Sequence, residues 1–336
     1  MKSQHRILPL FIPHLGCPNQ CVFCNQKRIS GSLFPVSGED VRRALEALGE
    51  EKSYELAFYG GSFTAIPMEE QRALLEAVQP FRAAGTVTAI RLSTRPDAID
   101  GERLALLREM GVTTVELGAQ SMSEEVLRLS RRGHTAKDVE NASHMVKAAG
   151  FSLVLQLMTG LPGDTAESSV ESAKRIIALH PDAVRLYPTV IIRDTPLYES
   201  WCRGEYTEHT VEDAVELCAR LLPLFEAANI PVIRLGLNPT EELSGGQAVA
   251  GAYHPALGEL VQSRLRRREC EELLHGAEPG SEVTVFVPRR LVSQYIGQKR
   301  VNVAYLQNKF ALRALTFRPH SEENIRIEIA KKINMV

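Results

Sequence analysis

His14-Leu-Gly-Cys-Pro-Asn-Gln-Cys-Val-Phe-Cys-Asn25 is the stretch on which the reading of this chain turns. Its cysteines, Cys17, Cys21 and Cys24, follow a C-x3-C-x2-C spacing with no fourth cysteine nearby. Three thiolates on one short loop hold three irons of a [4Fe–4S] cube and leave the fourth open to a group that is not protein. An open iron on a low-potential cluster is a place for chemistry as well as for storing an electron. Zinc is the competing reading: it wants a fourth Cys or His at short range, and His14 lies three residues before Cys17.

The loop follows an apolar run at 7–13, the first of a series. Runs at 54–59, 87–93, 113–117, 152–158 and 183–187 read as further strands, with amphipathic helices at 41–48, 69–81, 101–110, 137–149 and 166–179 between them. Ser37 and Asp40 stand in capping-box spacing before the first helix, and Gly150 closes the fourth. Strands alternating with helices imply βαβ units, right-handed crossovers and a parallel sheet. Six units predict an α/β fold, a partial (β/α)6 parallel barrel. The cysteine loop, Gly60-Gly61-Ser62 and the segments 93–97, 118–121, 159–163 and 187–188 then gather at the carboxyl ends of the strands, where parallel α/β folds place ligands.

Beyond a helical stretch at 211–228 and a strand at 231–235, residues 236–280 are rich in Gly and Pro and read as loop and linker. From 281 the order strand (282–287), helix (289–296), turn (297–300), helix (302–310), strand (312–317) and final strand (325–329) predicts a small C-terminal α+β module of β-α-α-β order. The expected domains are a core at 1–240, a linker and barrel-closing segment at 241–280, and a small basic module at 281–336.

A chain of 336 residues, 44% hydrophobic and 24% charged, suits a globular protein with a sizeable core. Cys202, Cys218 and Cys270 are scattered and read as inert thiols, Cys218 on an apolar helix face. A reduced, cytoplasmic protein is expected. The run at 7–13 is too short and too rich in proline for a signal peptide, and no stretch approaches about 18 consecutive apolar residues, so no membrane span is expected. The net charge of −2 conceals an asymmetry: residues 281–336 carry ten basic and four acidic residues, a net of +6, which leaves about −8 on the rest. Such a tail points to an acidic partner.

On the cysteine spacing, on Phe23 before the last cysteine and on the strand-end loops, the chain resembles the radical S-adenosylmethionine (radical SAM) superfamily. The resemblance implies that the methionine end of S-adenosylmethionine chelates the open iron and that an electron from the cluster cleaves the sulfonium. The resulting 5′-deoxyadenosyl radical takes hydrogen from a substrate, while the protein supplies placement and a dry pocket. Segments 93–99, 115–121, 131–135 and 185–195 are similar to the catalytic subunit of Elongator, within a similarity over roughly residues 8–240. Gly160-Leu-Pro-Gly-Asp-Thr165 is similar, more distantly, to oxygen-independent coproporphyrinogen dehydrogenase. Carried over by position, the resemblance implies that Gly60, Gly61 and Ser62 meet the methionine amino group through backbone oxygens. It implies that Ser93 and Gln120 face the ribose and methionine, that Arg132 binds the carboxylate, and that Gln156 touches a ribose hydroxyl. Glycine admits a close backbone approach, and a guanidinium fork matches a carboxylate. A flavodoxin or ferredoxin is the implied electron donor. The Elongator subunit has a longer first cysteine gap and an acetyltransferase domain; no room for that domain is expected here, so acetyl transfer is not carried over.

Residues 287–302 resemble the helix-turn-helix core of a KH module, whose GXXG turn grips nucleic-acid backbone. Here Gly297-Gln-Lys-Arg300 carries arginine in place of the second glycine, which hinders close approach but adds charge for a phosphate. Two readings stay open for this module: RNA held through Lys299 and Arg300, and a basic domain that merely packs on the barrel. Arg132 also reads as a solvated helix-end arginine, Gln156 as a satisfied core amide and Tyr187 as wall, while His134 and His254 read as structural. Three functions stay open: a radical SAM enzyme modifying RNA such as tRNA, the same chemistry on a small metabolite, and a non-enzymatic iron–sulfur or zinc protein that binds RNA.

Overall fold

Strands β1 (Arg6–Phe11), β2 (Tyr54–Tyr59), β3 (Val87–Thr94), β4 (Thr114–Gln120), β5 (Ser152–Thr159) and β6 (Ala183–Pro188) lie side by side in chain order, every pair parallel. Strand β7 (Val190–Ile192) leaves this sheet, and β8 (Val232–Leu235) adds a seventh parallel strand beside β6. The computed structural model describes residues 6–12, 17, 21–25, 36–48, 53–239, 243–322 and 324–330. His14, singled out above, lies outside them, as do residues 323 and 331–336 of the basic tail. The chain divides into two units, Met1–Ala214 with Leu221–Pro255, and Val215–Arg220 with Ala256–Val336.

In the first unit the sheet curls. Neighbouring strands stand about 4.8 Å apart, so β2 and β6 would be about 19 Å apart in a flat sheet. Yet Arg185 Nη2 on β6 donates to the Tyr59 hydroxyl on β2 at 2.9 Å. Only a sheet closing toward a barrel brings those side chains together. Helices α1 (Gly38–Glu46), α2 (Met68–Glu76), α3 (Gln79–Ala83), α4 (Gly101–Glu109), α5 (Glu124–Leu129), α6 (Ala136–Ala148), α7 (Ala166–Ala178), α8 (Pro196–Cys202) and α9 (Val211–Ala227) run between the strands. Their starts are written locally: Ser37, Thr135, Thr165 and Thr210 form capping boxes, and Asp100, Ser123 and Thr195 accept single N-cap bonds. The single helix expected at 69–81 is two, because Pro80 starts a new one. The short helices α5 and α8 and strand β7 go beyond the sequence reading; each is too brief for periodicity to stand out.

The second unit corrects the linker reading of 241–280. A 17-residue helix, α10 (Leu257–Leu273), occupies most of its second half; ahead of it, still within the first unit, β9 (Ala248–Gly251) pairs antiparallel with β7. The helix was hidden because its inward side includes Ser263, Arg264 and Cys270 rather than a row of leucines. Arg264 and Arg268 instead pair with Glu216. Past it, β10 (Glu282–Pro288) is the central strand of three, parallel to β11 (Ala314–His320) and antiparallel to β12 (Arg326–Ala330). Helices α11 (Val292–Ile296) and α12 (Val301–Lys309) complete the expected β-α-α-β order, though 289–291 form a 3-10 turn rather than the start of α11. Val283, Val285, Tyr295, Val303, Leu306 and Leu315 form its core. Cys218 and Cys270 are fully buried, and burial pushes both thiols up to about 12, as suits inert sulfur. No helix among the described residues is long and apolar enough to cross a membrane.

Candidate functional site

The cysteine loop is pinned from two sides. Val22 N donates to Ser130 O at 3.2 Å, at the end of α5, and Leu197 N, at the start of α8, donates to Val22 O at 2.8 Å. Val22 also packs on Ile191 and Leu197. Cys21 is buried and Cys17 and Cys24 half-buried. Arg132 reaches across to this loop: Nη1 donates to Cys21 Sγ at 3.2 Å and Nη2 to Gly118 O at 2.7 Å. Its own carbonyl accepts from Arg95 Nη2 at 2.6 Å, and Arg95 is forked onto the Asp97 carboxylate at 2.9 and 2.7 Å. The motif segments 93–97 and 131–134 thus form one relay, Asp97 to Arg95 to Arg132 to Cys21. A guanidinium beside sulfur favours the thiolate, the form that ligates metal. Burial pushes the Cys17 thiol up and Cys21 adds to this, while Arg132 and Arg95 pull it down. Among the described residues no three His, Cys, Asp or Glu side chains are gathered tightly enough to hold a metal ion.

Beside the loop, the strand ends present polar atoms without partners. Ser93 Oγ and Gln120 Oε1 are buried and bond to nothing among the described residues. An unmade bond of that kind costs about 1–3 kcal/mol, so both atoms suit a ligand rich in hydroxyl and amino groups. Gln120 also holds φ +64°, a left-handed conformation unusual for a side chain of its size. Gly118 makes room for it: a Cβ there would stand 2.8 Å from Gln120 Nε2 and 3.2 Å from Arg132 Nη2. Gly60 turns at φ +95° after β2. Ser62 points inward, its hydroxyl 3.0 Å from Thr94 Oγ1 and accepting from Arg95 N at 3.2 Å, so its side chain braces the turn and leaves only backbone for a ligand. Thiols, a cation on one of them, a glycine turn and orphaned polar atoms fit an iron–sulfur cluster and S-adenosylmethionine in kind. His134 is buried against the end of β4. Its Nε2 contacts Ala119 O at 3.1 Å, and burial, with Arg132 nearby, pulls its pKa down to about 4.

Deeper in the barrel lies a polar ring that the sequence reading missed except for Gln156. Glu116, fully buried on β4, accepts from Arg91 Nη1 at 2.8 Å, Arg185 Nη2 at 2.9 Å, the Tyr59 hydroxyl at 3.3 Å and Gln156 Nε2 at 3.2 Å. Arg91 is also forked onto Glu55 at 2.8 and 3.0 Å. Burial works against the Arg185 charge, but Glu116 and the neighbouring phenols hold its pKa above the usual arginine value; burial and then Glu116 push Tyr59 up. Gln156 is thus committed through its amide nitrogen to Glu116. Tyr187 stands at the rim, 3.4 Å from Arg185 Nη1. A signal was available: Arg91, Glu116 and Arg185 are charges inside otherwise apolar strands, a placement that demands partners.

A profile of the Radical SAM superfamily matches residues 11–176, and one of the Radical_SAM C-terminal domain matches residues 181–267. Elongator complex protein 3 of Homo sapiens is 29% identical over 314 residues, covering 84% of this chain and 56% of the human protein. A tRNA uridine(34) acetyltransferase of Methanocaldococcus infernus is 32% identical over 262 residues, 74% of this chain and 45% of that protein. The solved structure of the archaeal Methanocaldococcus infernus Elp3 with an N-terminal deletion superposes with a TM-score of 0.63 at 24% identity, covering 80% of this chain and 64% of that one, a likeness of fold. The chain spans about half the length of the curated relatives it matches. With both profiles falling on the curled parallel sheet, its cysteine loop and the segment that follows, the chain belongs to the radical SAM superfamily.

Proposed function

We propose that this chain binds a [4Fe–4S] cluster and S-adenosylmethionine at the strand ends of the barrel and modifies RNA, with tRNA as the substrate class. The observation that carries the cofactor assignment is the placing of Arg132 on Cys21, together with Ser93 Oγ and Gln120 Oε1, buried without a partner among the described residues. When bound, the cluster supplies the electron that cleaves S-adenosylmethionine to a 5′-deoxyadenosyl radical, with a flavodoxin or ferredoxin as donor. Cys17, Cys21 and Cys24 hold three irons. Arg132 sets positive charge against the loop and the methionine carboxylate, Gly60 and Gly61 with the Ser62 backbone receive the amino group, and Ser93, Gln120 and Gln156 take hydroxyls. The RNA assignment is supported by relatives whose names specify a tRNA uridine activity and by the charge of +6 on residues 281–336. Lys299 and Arg300 contact phosphate in this reading, the core occupies 1–240 with a basic module at 281–336, and the location is cytoplasmic.

Anaerobic reconstitution with dithionite should yield 5′-deoxyadenosine, and Cys21→Ala should yield none; formation at the wild-type rate by that variant refutes the cofactor assignment. Nucleoside mass spectrometry of a deletion strain against its parent should show a missing modification. An altered metabolite with unchanged nucleosides would transfer the chemistry to a small molecule.

A further inference from the structure

In the second unit the turn Gly297-Gln-Lys-Arg300 is held in an uncommon shape. Gly297, Lys299 and Arg300 have φ +75°, +49° and +62°. Left-handed backbone costs a long side chain about 1 kcal/mol or more per residue, and it persists where the surroundings impose it. Just past the turn stands Asn302, buried, whose Nδ2 lies 3.0 Å from Ser263 O, 2.9 Å from Ser263 Oγ and 3.1 Å from both Gln294 O and Tyr295 O. It ties α10 to the end of α11, and Lys299 and Arg300 are turned outward, exposed and without an ion pair among the described residues.

Helix α12 continues from this turn with an unusual outer face. Val301, Ala304, Tyr305 and Asn308 fall at i, i+3, i+4 and i+7, and all four are exposed, Val301 by 52% and Tyr305 by 37%. A surface helix ordinarily sets charge on such a stripe. The Arg267 guanidinium backs the Tyr305 ring at 4.1 Å, and Lys309 stands 5.6 Å from it while pairing with Glu271 at 2.9 Å. A held, part-open aromatic ring amid cations and one turn of helix from two outward cations is what a base attached to a phosphate requires: base stacking tolerates any sequence, and charge tracks the backbone.

We propose that this face docks single-stranded RNA, the Lys299–Arg300 turn taking phosphate and the Val301–Tyr305 stripe taking an unpaired base stacked on Tyr305. The inference rests on the reading of RNA as substrate and narrows it to loops or unpaired ends, because a base inside a duplex has no free face to offer. Charge complementarity selects a polyanion over an apolar partner, since residues 281–336 carry ten basic against four acidic residues.

The test uses the whole chain and a fluorescein-labelled 12-nucleotide RNA of mixed sequence, alone or annealed to its complement, followed by anisotropy at rising salt. Single-stranded RNA should bind more tightly than the duplex. Tyr305→Ala should weaken it about tenfold with an unchanged salt slope, and Tyr305→Phe should restore it. The double variant Lys299→Ala, Arg300→Ala should lower the slope of log K against log salt by about 1.4, two phosphates' worth for a single strand. Wild-type affinity in Tyr305→Ala, at an unchanged melting temperature, overturns the proposal; so does a duplex bound as tightly as the single strand. A dimer that Tyr305→Ala disperses would assign the face to a second copy and overturn it too. Binding is read without cofactor or turnover, so a failed nucleoside comparison in the deletion strain refutes the modification reading and leaves this result standing.

Discussion

The barrel and the C-terminal turn both collect charge, and they spend it in opposite ways. In the barrel, Glu116 is enclosed by Arg91, Arg185, Tyr59 and Gln156, and each side chain satisfies another. At the turn, Lys299 and Arg300 point away from their own fold, on a backbone strained to hold them there. Enclosed charge fixes geometry because breaking it is expensive in a low-dielectric interior. Exposed charge fixes nothing in the fold and stays available to a partner, at a strength set by salt. The first arrangement suits a cofactor that must be placed; the second suits a polymer that must be caught and released.

The comparison breaks first at the cysteines. Cys21→Ala should lose iron and all formation of 5′-deoxyadenosine while single-stranded RNA still binds; joint loss of both would show that the two regions are not separable. Next, Glu116→Gln should leave Arg185 without its carboxylate and cost about 3–5 kcal/mol in chemical denaturation, the usual price of breaking a buried pair. A cost below about 1 kcal/mol would mean the ring is open to water.

His134 sharpens the contrast through pH. Its folded pKa of about 4 lies below the ordinary 6.5, so the unfolded chain binds the extra proton. The associated stability is complete above about pH 6.5 and is lost as pH falls through the folded value. At about 1.4 kcal/mol per unit of difference, wild type should lose about 3 kcal/mol more than His134→Gln between pH 7 and pH 4. Parallel unfolding curves for the two proteins would refute this burial. The smallest effect belongs to the turn: Arg300→Gly should raise stability by about 0.5–1 kcal/mol through relief of the left-handed backbone while weakening RNA binding. A variant that gains stability and keeps its affinity would show that the strain serves no partner.

Much of this was legible before any coordinates. Capping residues such as Ser37, Thr135, Thr165 and Thr210 announce helices through bonds only three residues long, and alternating apolar runs announce parallel strands. Helix α10 was not legible, because ion pairs from Arg264 and Arg268 to Glu216, about fifty positions away, do what an apolar stripe would do locally. Nor was the left-handed Lys299–Arg300 backbone, or the Asn302 side chain beside it that reaches Ser263 some forty positions away. Ser62 belongs with these: its loop was readable, while the inward turn of its hydroxyl toward Thr94 was not.

By itself the order of residues determined the three-cysteine loop, the succession of strands and helices, and so the end of the sheet at which a cofactor would sit, because these depend on spacing and on bonds between near neighbours. Only the folded chain decided that Arg132 lies on Cys21, that one glutamate serves two arginines from different strands, and that Tyr305 stays partly open beside a cationic turn. Those facts arise where a curled sheet or a packed helix brings together side chains far apart in the chain, and no local pattern carries that distance.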